Sequence, residues 1–423
     1  MIFKNINNLL FLISAFFLFS CSKIPLINNE KETNKITNSI PKVSESTELI
    51  SEITFEKNDN NNLDYYNRNT NFIWNTLKLN KIYDFSLNRK FNNNYFTSNF
   101  VIQNNNIYFV NDKKEFINLD IQNGKLIFKK KLELEEIDST FASNSIVKIG
   151  DFFFIGFANG QLLKLDISGK IIWTKNFSDI LRTPIKINNK NLIIMFNSNR
   201  LICLESNNGN IIWDFNYSLE KPSLLSGGKI IVNKNIIFAK MPNGSIAAID
   251  TIVGEEVDYD FIADIEQKNI LNYNYDIDIH LYEKYFSIFE EGNIYTYDLI
   301  NEKFLLNYES ILLSKSHKFI NNALLVLNDQ NSLISYNIKN KNIFWEINLN
   351  KKIDKDDSIV DAFIVNNDLL VFFSSGLVLQ LNKFSGEIVY EFNSKNKKTK
   401  YVTMYKDYIL FNKSNGTTSV YKQ

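Results

Sequence analysis

Thiols and imidazoles, the side chains that most often perform chemistry, are few in this chain of 423 residues, which contains two cysteines and two histidines. His280 and His317 lie far apart, without the spacing of metal ligands. Cys203 lies in the apolar run Leu201-Ile-Cys-Leu204, where a small buried hydrophobe is a more common role than a nucleophile. No phosphate-binding loop, Gly-x-Ser-x-Gly elbow or other catalytic motif occurs. The sequence therefore predicts no enzyme activity, no cofactor and no metal.

Carboxylates are more numerous, and short acidic runs occur at Glu135-Glu136, Glu255-Glu256, Glu290-Glu291 and Asp354 to Asp357. A Ca²⁺ site needs about six to eight oxygen ligands gathered in one place. These runs are scattered beside turns, where solvated carboxylates are the usual explanation. The 47 basic and 47 acidic residues give a formal net charge of +0, and no Lys/Arg-rich block stands out. The sequence therefore predicts no nucleic-acid partner.

Cys21 is the second thiol, and it follows a targeting segment. Lys4 supplies a positive start, Leu9 to Phe19 form an apolar core too short to span a bilayer, and Leu18-Phe19-Ser20-Cys21 closes the segment. This ending resembles a bacterial lipobox, although Phe19 is bulkier than usual. The resemblance implies cleavage before Cys21, lipidation of its thiol and amine, and, because Ser22 follows it, sorting to the outer membrane. The alternative is an ordinary signal peptide or an uncleaved anchor. A lipidated Cys21 would leave Cys203 without a disulfide partner.

The chain divides into three parts. Residues 1–20 are the signal peptide, and residues 21–68 are the lipidated cysteine and a polar segment with no apolar period, which we expect to be a flexible tether. A short docking helix within the tether is the weaker alternative. Residues 69–423 are rich in aromatic and β-branched residues and form the folded domain.

A hairpin that recurs at a regular interval predicts the architecture of this domain. Its clearest copies are Gly169-Lys-Ile-Ile-Trp173 and Gly209-Asn-Ile-Ile-Trp213, each with a glycine turn before a strand. Equivalent turns occur at positions 124, 169, 209, 254, 301, 341 and 386. Their mean spacing of roughly 44 residues matches one four-stranded propeller blade. Few glycines occur for so many turns, and asparagine, which tolerates the left-handed conformation, takes their place.

The two ends of the domain are complementary. Phe72 to Leu79 reads as an outer strand without a hairpin partner, and the segment from Tyr401 to the C-terminus supplies about three strands. The N-terminal strand should complete the last blade and remove the free edges. We therefore predict an all-β, eight-bladed β-propeller with four strands in each blade. The four tryptophans, Trp74, Trp173, Trp213 and Trp345, should occupy one equivalent position.

The Gly-x-x-x-Trp hairpins follow strands that end in Asp120, Asp166, Glu205, Asp250 and Asp298. They resemble PQQ-like propeller repeats. With a lipoprotein signal and a polar tether, the chain resembles the BamB family of outer-membrane assembly lipoproteins. This resemblance implies a non-enzymatic scaffold, a monomer within a complex, that is held by its lipid at the periplasmic face of the outer membrane.

Two loops carry the binding site that the family resemblance implies. The family contacts BamA through a Leu-Arg loop before the fourth blade and an Asp-x-Asp before the fifth. Leu224, Asp276 and Asp278 match these types, whereas Leu225 stands where the family has arginine. The alternative is that both leucines begin an inner strand and that the aspartates lie on solvated turns.

Two other functions remain open. An adaptor lipoprotein for another envelope partner would have the same signal and repeats. A PQQ-dependent dehydrogenase would share the repeats but would need Ca²⁺ ligands and usually adjacent cysteines, and no Cys-Cys pair occurs.

Overall fold

The computed structural model of the protein describes residues 62–63, 78–87, 100–111, 113–133, 143–181, 183–217, 228–259, 262, 277–290, 292–308, 314–340 and 342–423. Five residues singled out by the sequence lie outside this part of the chain, namely Cys21, Trp74, Leu224, Leu225 and Asp276.

The described residues form eight antiparallel sheets, each of which is one blade. The second and third strands, such as β8 and β9, are buried almost continuously, whereas outer strands such as β10 alternate in exposure. Blades 1 to 4 contain β3 (Phe100–Gln103), β4 (Asn106–Val110), β5 (Glu115–Asp120) and β6 (Leu126–Lys131); β7 (Ser143–Ile149), β8 (Phe152–Phe157), β9 (Gln161–Asp166) and β10 (Ile171–Asn176); β11 (Lys186–Asn188), β12 (Asn191–Met195), β13 (Arg200–Glu205) and β14 (Ile211–Asn216); and β15 (Lys229–Asn233), β16 (Ile236–Lys240) and β17 (Ile246–Asp250).

The second half of the ring follows the same order. Blades 5 to 8 contain β18 (Asp278–Tyr282), β19 (Tyr285–Glu290), β20 (Asn293–Asp298) and β21 (Lys303–Tyr308); β22 (Ser314–Ile320), β23 (Ala323–Asn328), β24 (Ser332–Asn337) and β25 (Ile343–Asn348); β26 (Ile359–Val365), β27 (Asp368–Phe373), β28 (Leu377–Asn382) and β29 (Ile388–Asn393); and β30 (Thr399–Tyr405), β31 (Tyr408–Lys413), β32 (Thr417–Lys422) and β2 (Asn80–Ser86). The two-residue strand β1 (Asn62–Leu63), which falls within the segment expected to be the tether, pairs with β7.

The ring closes as the sequence predicts, through an N-terminal strand that completes the last blade. Strand β2 pairs antiparallel with β32, so chain segments more than 300 residues apart form one sheet. Eight hydrophobic clusters each join two neighbouring blades. One of them packs Leu410 and Val420 of blade 8 against Phe100 and Phe109 of blade 1, which closes the circle.

The identity of the closing aromatic differs from the prediction. In the outer strands a one-residue bulge precedes the aromatic position, which pairs Trp213 with Cys203 and Trp345 with Ser335. In β2 the same bulge pairs Tyr83 with Val420. Tyr83 therefore occupies the position in blade 8 that the sequence assigned to Trp74. The register of this strand depends on pairing with a strand more than 300 residues away, which the local sequence does not specify.

Blade 4 also departs from the four-strand expectation. Its described sheet has three strands, and the outer position holds only an isolated bridge between Ile249 and Glu256. Tyr259 nevertheless packs against Phe238, so an aromatic side chain still covers this edge. The turns agree with the prediction, since Asn189, Asn321 and Asn366 all have positive φ angles at inner hairpins.

Candidate partner-binding face

One face of the ring carries the segments that connect successive blades, and we call it the loop face. In blades 1, 2, 3, 6 and 7 the connecting segment is bonded through its backbone to the turn between the second and third strands of the blade that it leaves. Examples are Phe177 N to Gly160 O (3.1 Å), Leu349 N to Asn331 O (2.8 Å) and Ser394 N to Gly376 O (2.9 Å). The opposite face carries the glycine hairpins, and we call it the hairpin face. The segments 218–227 and 260–276, which contain Leu224, Leu225 and Asp276, connect blades 3 to 4 and 4 to 5, but these residues lie outside the described part of the chain.

Asp278, the fourth predicted site residue, begins β18 and lies among charged side chains. The Nζ atom of Lys229 is 2.5 Å from Asp278 Oδ1, and His317 Nε2 is 3.5 Å from Oδ2. These three residues belong to the first strands of blades 4, 5 and 6. Burial alone would raise the pKa of the Asp278 carboxyl, but the Lys229 ammonium and the His317 imidazole outweigh it and hold that pKa below its usual range. Asp278 is therefore an ionised, mostly buried carboxylate. Its contacts link the first strands of three blades near the loop face.

His280 lies two residues further along β18 and has a different environment. Its Nε2 atom donates a hydrogen bond to the Asn321 carbonyl at 2.9 Å. Its ring stacks on Phe319 with centroids 4.8 Å apart and an interplanar angle of 5°. Burial lowers the pKa of His280 to about 4, because the charged form would lose its hydration. The imidazole is thus a neutral packing group between blades 5 and 6.

A second set of contacts links other first strands. Asp361 Oδ2 accepts a hydrogen bond from Val402 N at 3.0 Å, and Lys318 Nζ lies 4.0 Å from Asp361 Oδ1. Burial raises the pKa of Asp361. A hydroxyl group also links neighbouring parts of the ring, since Thr183 Oγ1 accepts a hydrogen bond from Gly228 N at 2.8 Å. These bonds fix each blade against the next, so the loop face is presented on a rigid base.

The acidic ends of the third strands have local roles. Asp120 Oδ1 accepts from Gln122 N (2.8 Å), Asp166 Oδ1 from Ser168 N (2.9 Å), and Asp250 Oδ1 from Ile252 N (2.7 Å). Each carboxylate thereby caps the turn that leads to the outer strand. Among the described residues, no group of three or more His, Cys, Asp or Glu side chains could hold a metal ion.

The tryptophans join neighbouring blades on the hairpin face. Trp213 Nε1 donates to Thr251 O at 2.9 Å and Trp345 Nε1 to Lys383 O at 3.0 Å, each across to the turn of the next blade. Trp173 does the same to Asn207 O at 3.1 Å. Tyr83 reproduces the contact, since its Oη donates to Ile121 O at 2.8 Å. The repeated aromatic residue therefore bonds its own blade to the next one.

Cys203 is fully buried in β13. Burial raises the pKa of its thiol to about 12, so that little reactive thiolate forms.

No helix among the described residues is long and apolar enough to cross a membrane.

A family model described as "Outer membrane protein assembly factor BamB" matches residues 136–273, which run from the start of blade 2 to the segment before blade 5. Over this segment the chain is BamB-like. A curated protein of that same description from Nitrosomonas eutropha is 19% identical over 154 residues. That match spans 36% of this chain and 36% of the relative, so the chain covers about a third of the relative's length.

Solved structures extend the similarity in fold. BamB from Moraxella catarrhalis superposes with a TM-score of 0.60 and 14% identity, covering 82% of this chain and all of that one. A quinohemoprotein alcohol dehydrogenase from Comamonas testosteroni has a TM-score of 0.54 and 10% identity, covering 81% of this chain and 76% of that one. Saccharomyces cerevisiae Sqt1 has a TM-score of 0.60 and 12% identity, over 81% and 99% of the two chains. These structures share the propeller fold, which both enzymes and non-enzymatic proteins use.

Proposed function

We propose that the chain is a non-enzymatic scaffold lipoprotein of the outer-membrane β-barrel assembly machinery, held at the periplasmic face by lipid on Cys21. The observation that carries this proposal is the BamB match over residues 136–273. That segment includes the connection between blades 3 and 4, where Leu224 and Leu225 occur. A BamA-like protein is the expected partner, and the loop face is the expected contact surface.

The site residues take two different roles in this proposal. Leu224, Leu225 and Asp276 belong to connecting segments of the loop face and are proposed to contact the partner, as an apolar centre with a polar rim. Asp278 is a positioning residue, because its two carboxylate oxygens face Lys229 and His317. Its ion pair with Lys229 holds the first strands of blades 4 and 5 together.

Capture from detergent-solubilised envelope tests the partner. The tagged full chain should co-purify a BamA-like protein. Leu224→Asp should weaken capture by about 2 kcal/mol or more, since an apolar anchor in an interface is replaced by a charge. Asp276→Asn should weaken it less and reduce its salt dependence. Ile300→Asp is the matched control, because Ile300 is 73% exposed on the hairpin face of blade 5.

The outcomes separate folding from contact. Thermal unfolding of the Leu224, Asp276 and Ile300 variants should equal that of wild type. Asp278→Asn should lower thermal stability, because it leaves the Lys229 ammonium without its partner. If Leu224→Asp folds normally and captures the BamA-like protein as well as wild type does, this binding face is wrong. If a different envelope protein co-purifies, the chain is an adaptor for that protein.

A further inference from the structure

One blade of the ring carries a large excess of positive charge. Blade 8 is built from residues 78–87 and 394–423, which together contain nine lysines and two aspartates, a side-chain net charge of +7. The whole chain is neutral. Most of this charge belongs to the C-terminal segment, since residues 394–423 contain seven of the lysines and one of the aspartates.

The densest part of this charge is Ser394-Lys-Asn-Lys-Lys-Thr-Lys400, which runs from the connecting segment on the loop face into the first two residues of β30. Lys395, Lys397, Lys398 and Lys400 are all exposed. None of the four forms an ion pair with a residue that the structure describes. We call these four residues the lysine cluster.

The backbone of this segment is firmly held and does not itself require lysine. Ser394 and Asn396 are buried, and Thr399 Oγ1 donates to Asn396 O at 2.6 Å. Lys395 and Lys398 have φ angles of 57° and 64°, a conformation that favours glycine or asparagine. Asparagine and lysine both occupy such positions elsewhere, for example Asn189, Asn366 and Lys234, so the conformation itself does not require a charge. The lysines are therefore presented on a rigid base without a local structural reason for their charge.

The corresponding segment of the neighbouring blade has a different charge pattern. The connection from blade 6 to blade 7 contains Lys351, Lys352 and Lys355, but also Asp354, Asp356 and Asp357. Lys352 is further paired with Glu391 at 2.5 Å. That segment lies on the same face and is neutral, so a high lysine content does not by itself create a basic surface in this protein.

We propose that the lysine cluster binds the anionic headgroups of a phospholipid bilayer, an inference that rests on the lipid anchor of the proposed function. The cluster consists of four exposed cations in the connecting segment and at the start of β30, and residues 394–400 include no exposed large hydrophobic residue. Such a surface fits a field of mobile anionic headgroups better than an interface with an apolar centre.

Amine labelling of the full lipidated chain in vesicles tests the cluster. The protein is reconstituted into phosphatidylcholine vesicles with or without about 30 mol % phosphatidylglycerol. An acetylating reagent is added, and modification of each lysine is measured by mass spectrometry. Labelling of the lysine cluster should fall about fivefold in the anionic vesicles, and about 0.5 M salt should restore it by screening. Lys351 and Lys355 are the internal control and should be labelled equally in both.

Variants provide a second measurement by flotation. The combined variant K395Q, K397Q, K398Q and K400Q should lose the additional affinity for anionic vesicles, about tenfold, and keep its affinity for neutral ones. The control variant K351Q and K355Q should behave as wild type. Equal labelling of the cluster in neutral and anionic vesicles overturns the proposal. Protection that appears only after a purified partner protein is added also overturns it and assigns the cluster to a protein interface.

Failure of the proposed function gives a different result. If the wild-type chain does not float with neutral vesicles, the lipid anchor is absent, whereas the comparison of wild type with the glutamine variant on anionic vesicles still measures the lysine surface. Loss of BamA-like capture leaves the vesicle result unchanged.

Discussion

Tyr83 is the residue whose removal should most directly open the ring. Its Oη atom donates to Ile121 O at 2.8 Å, and its ring lies against the turn of blade 1, where a Cβ added at Gly124 would come within 2.6 Å of it. Tyr83→Phe removes only the hydrogen bond and should lower the free energy of unfolding by about 1 kcal/mol. Tyr83→Ala also removes the packed ring. Truncation of a buried aromatic costs about 3–5 kcal/mol, and because Tyr83 is half-buried we expect about 3 kcal/mol.

Urea unfolding followed by tryptophan fluorescence measures the free energies, and hydrogen exchange of β2 reports its undocking. Strand β2 should exchange much faster in Tyr83→Ala, because β2 is joined to β32 by pairing and not by a turn. Ile82→Ala is the matched control, since Ile82 lies in the adjacent bulge and is 38% exposed. If Tyr83→Ala unfolds within about 0.5 kcal/mol of wild type, the ring does not depend on this contact. Trp74→Ala measured alongside should behave as wild type if Tyr83 alone holds this position.

Four further substitutions test the interblade tryptophan contact, the buried imidazole and the lipid anchor. Trp213→Ala should lower the free energy of unfolding by about 3–5 kcal/mol. Gly254→Ala should also destabilise the folded domain, because a φ of 75° disfavours a side chain and a Cβ at this position would lie 2.5 Å from the Trp213 ring. Urea titration of each variant measures both effects. The folded-state pKa of His280, about 4, lies below the ordinary value of 6.5, so the unfolded chain binds the proton first and stability should fall by about 2 kcal/mol as the pH drops from 6.5 to 4. His280→Gln should flatten this part of the curve, and an unchanged slope would contradict a buried neutral imidazole. Cys21→Ala should abolish the incorporation of labelled palmitate. If the wild-type protein incorporates no palmitate, it is not a lipoprotein.

The propeller could be predicted because its determinants are local. Each hairpin is specified by a glycine turn and a strand of alternating side chains, and copies such as those ending in Trp173 and Trp213 recur at a constant interval. The register of the closing strand was not local. It depends on pairing with β32 and on contact with Gly124, so the sequence identified a closing strand but selected Trp74 in place of Tyr83.

The site was less predictable, because charges acquire their roles from distant partners. Asp278 looked like an exposed contact residue, but Lys229, 49 positions earlier, neutralises it across two blades. His317 completes that group from a third blade. An acidic residue followed by a strand gives no sign of such a pairing. The four lysines between positions 395 and 400 are close together in the sequence, but their exposure on one face of the ring is seen only in the fold.

The positive charge of blade 8 and the negative charge of blades 4 and 5 favour the same orientation of the ring on an anionic bilayer. In an eight-bladed ring, blade 8 lies opposite blade 4 and blade 1 lies opposite blade 5. The described residues of blades 4 and 5 contain nine acidic side chains and five lysines, a net charge of −4, whereas blade 8 carries +7. An anionic bilayer attracts blade 8 and repels the opposite side. A lipid anchor on a long polar segment provides affinity but does not fix orientation. The lysine cluster would supply that orientation, and the segments before blades 4 and 5 would then be directed away from the bilayer, where a periplasmic partner can reach them.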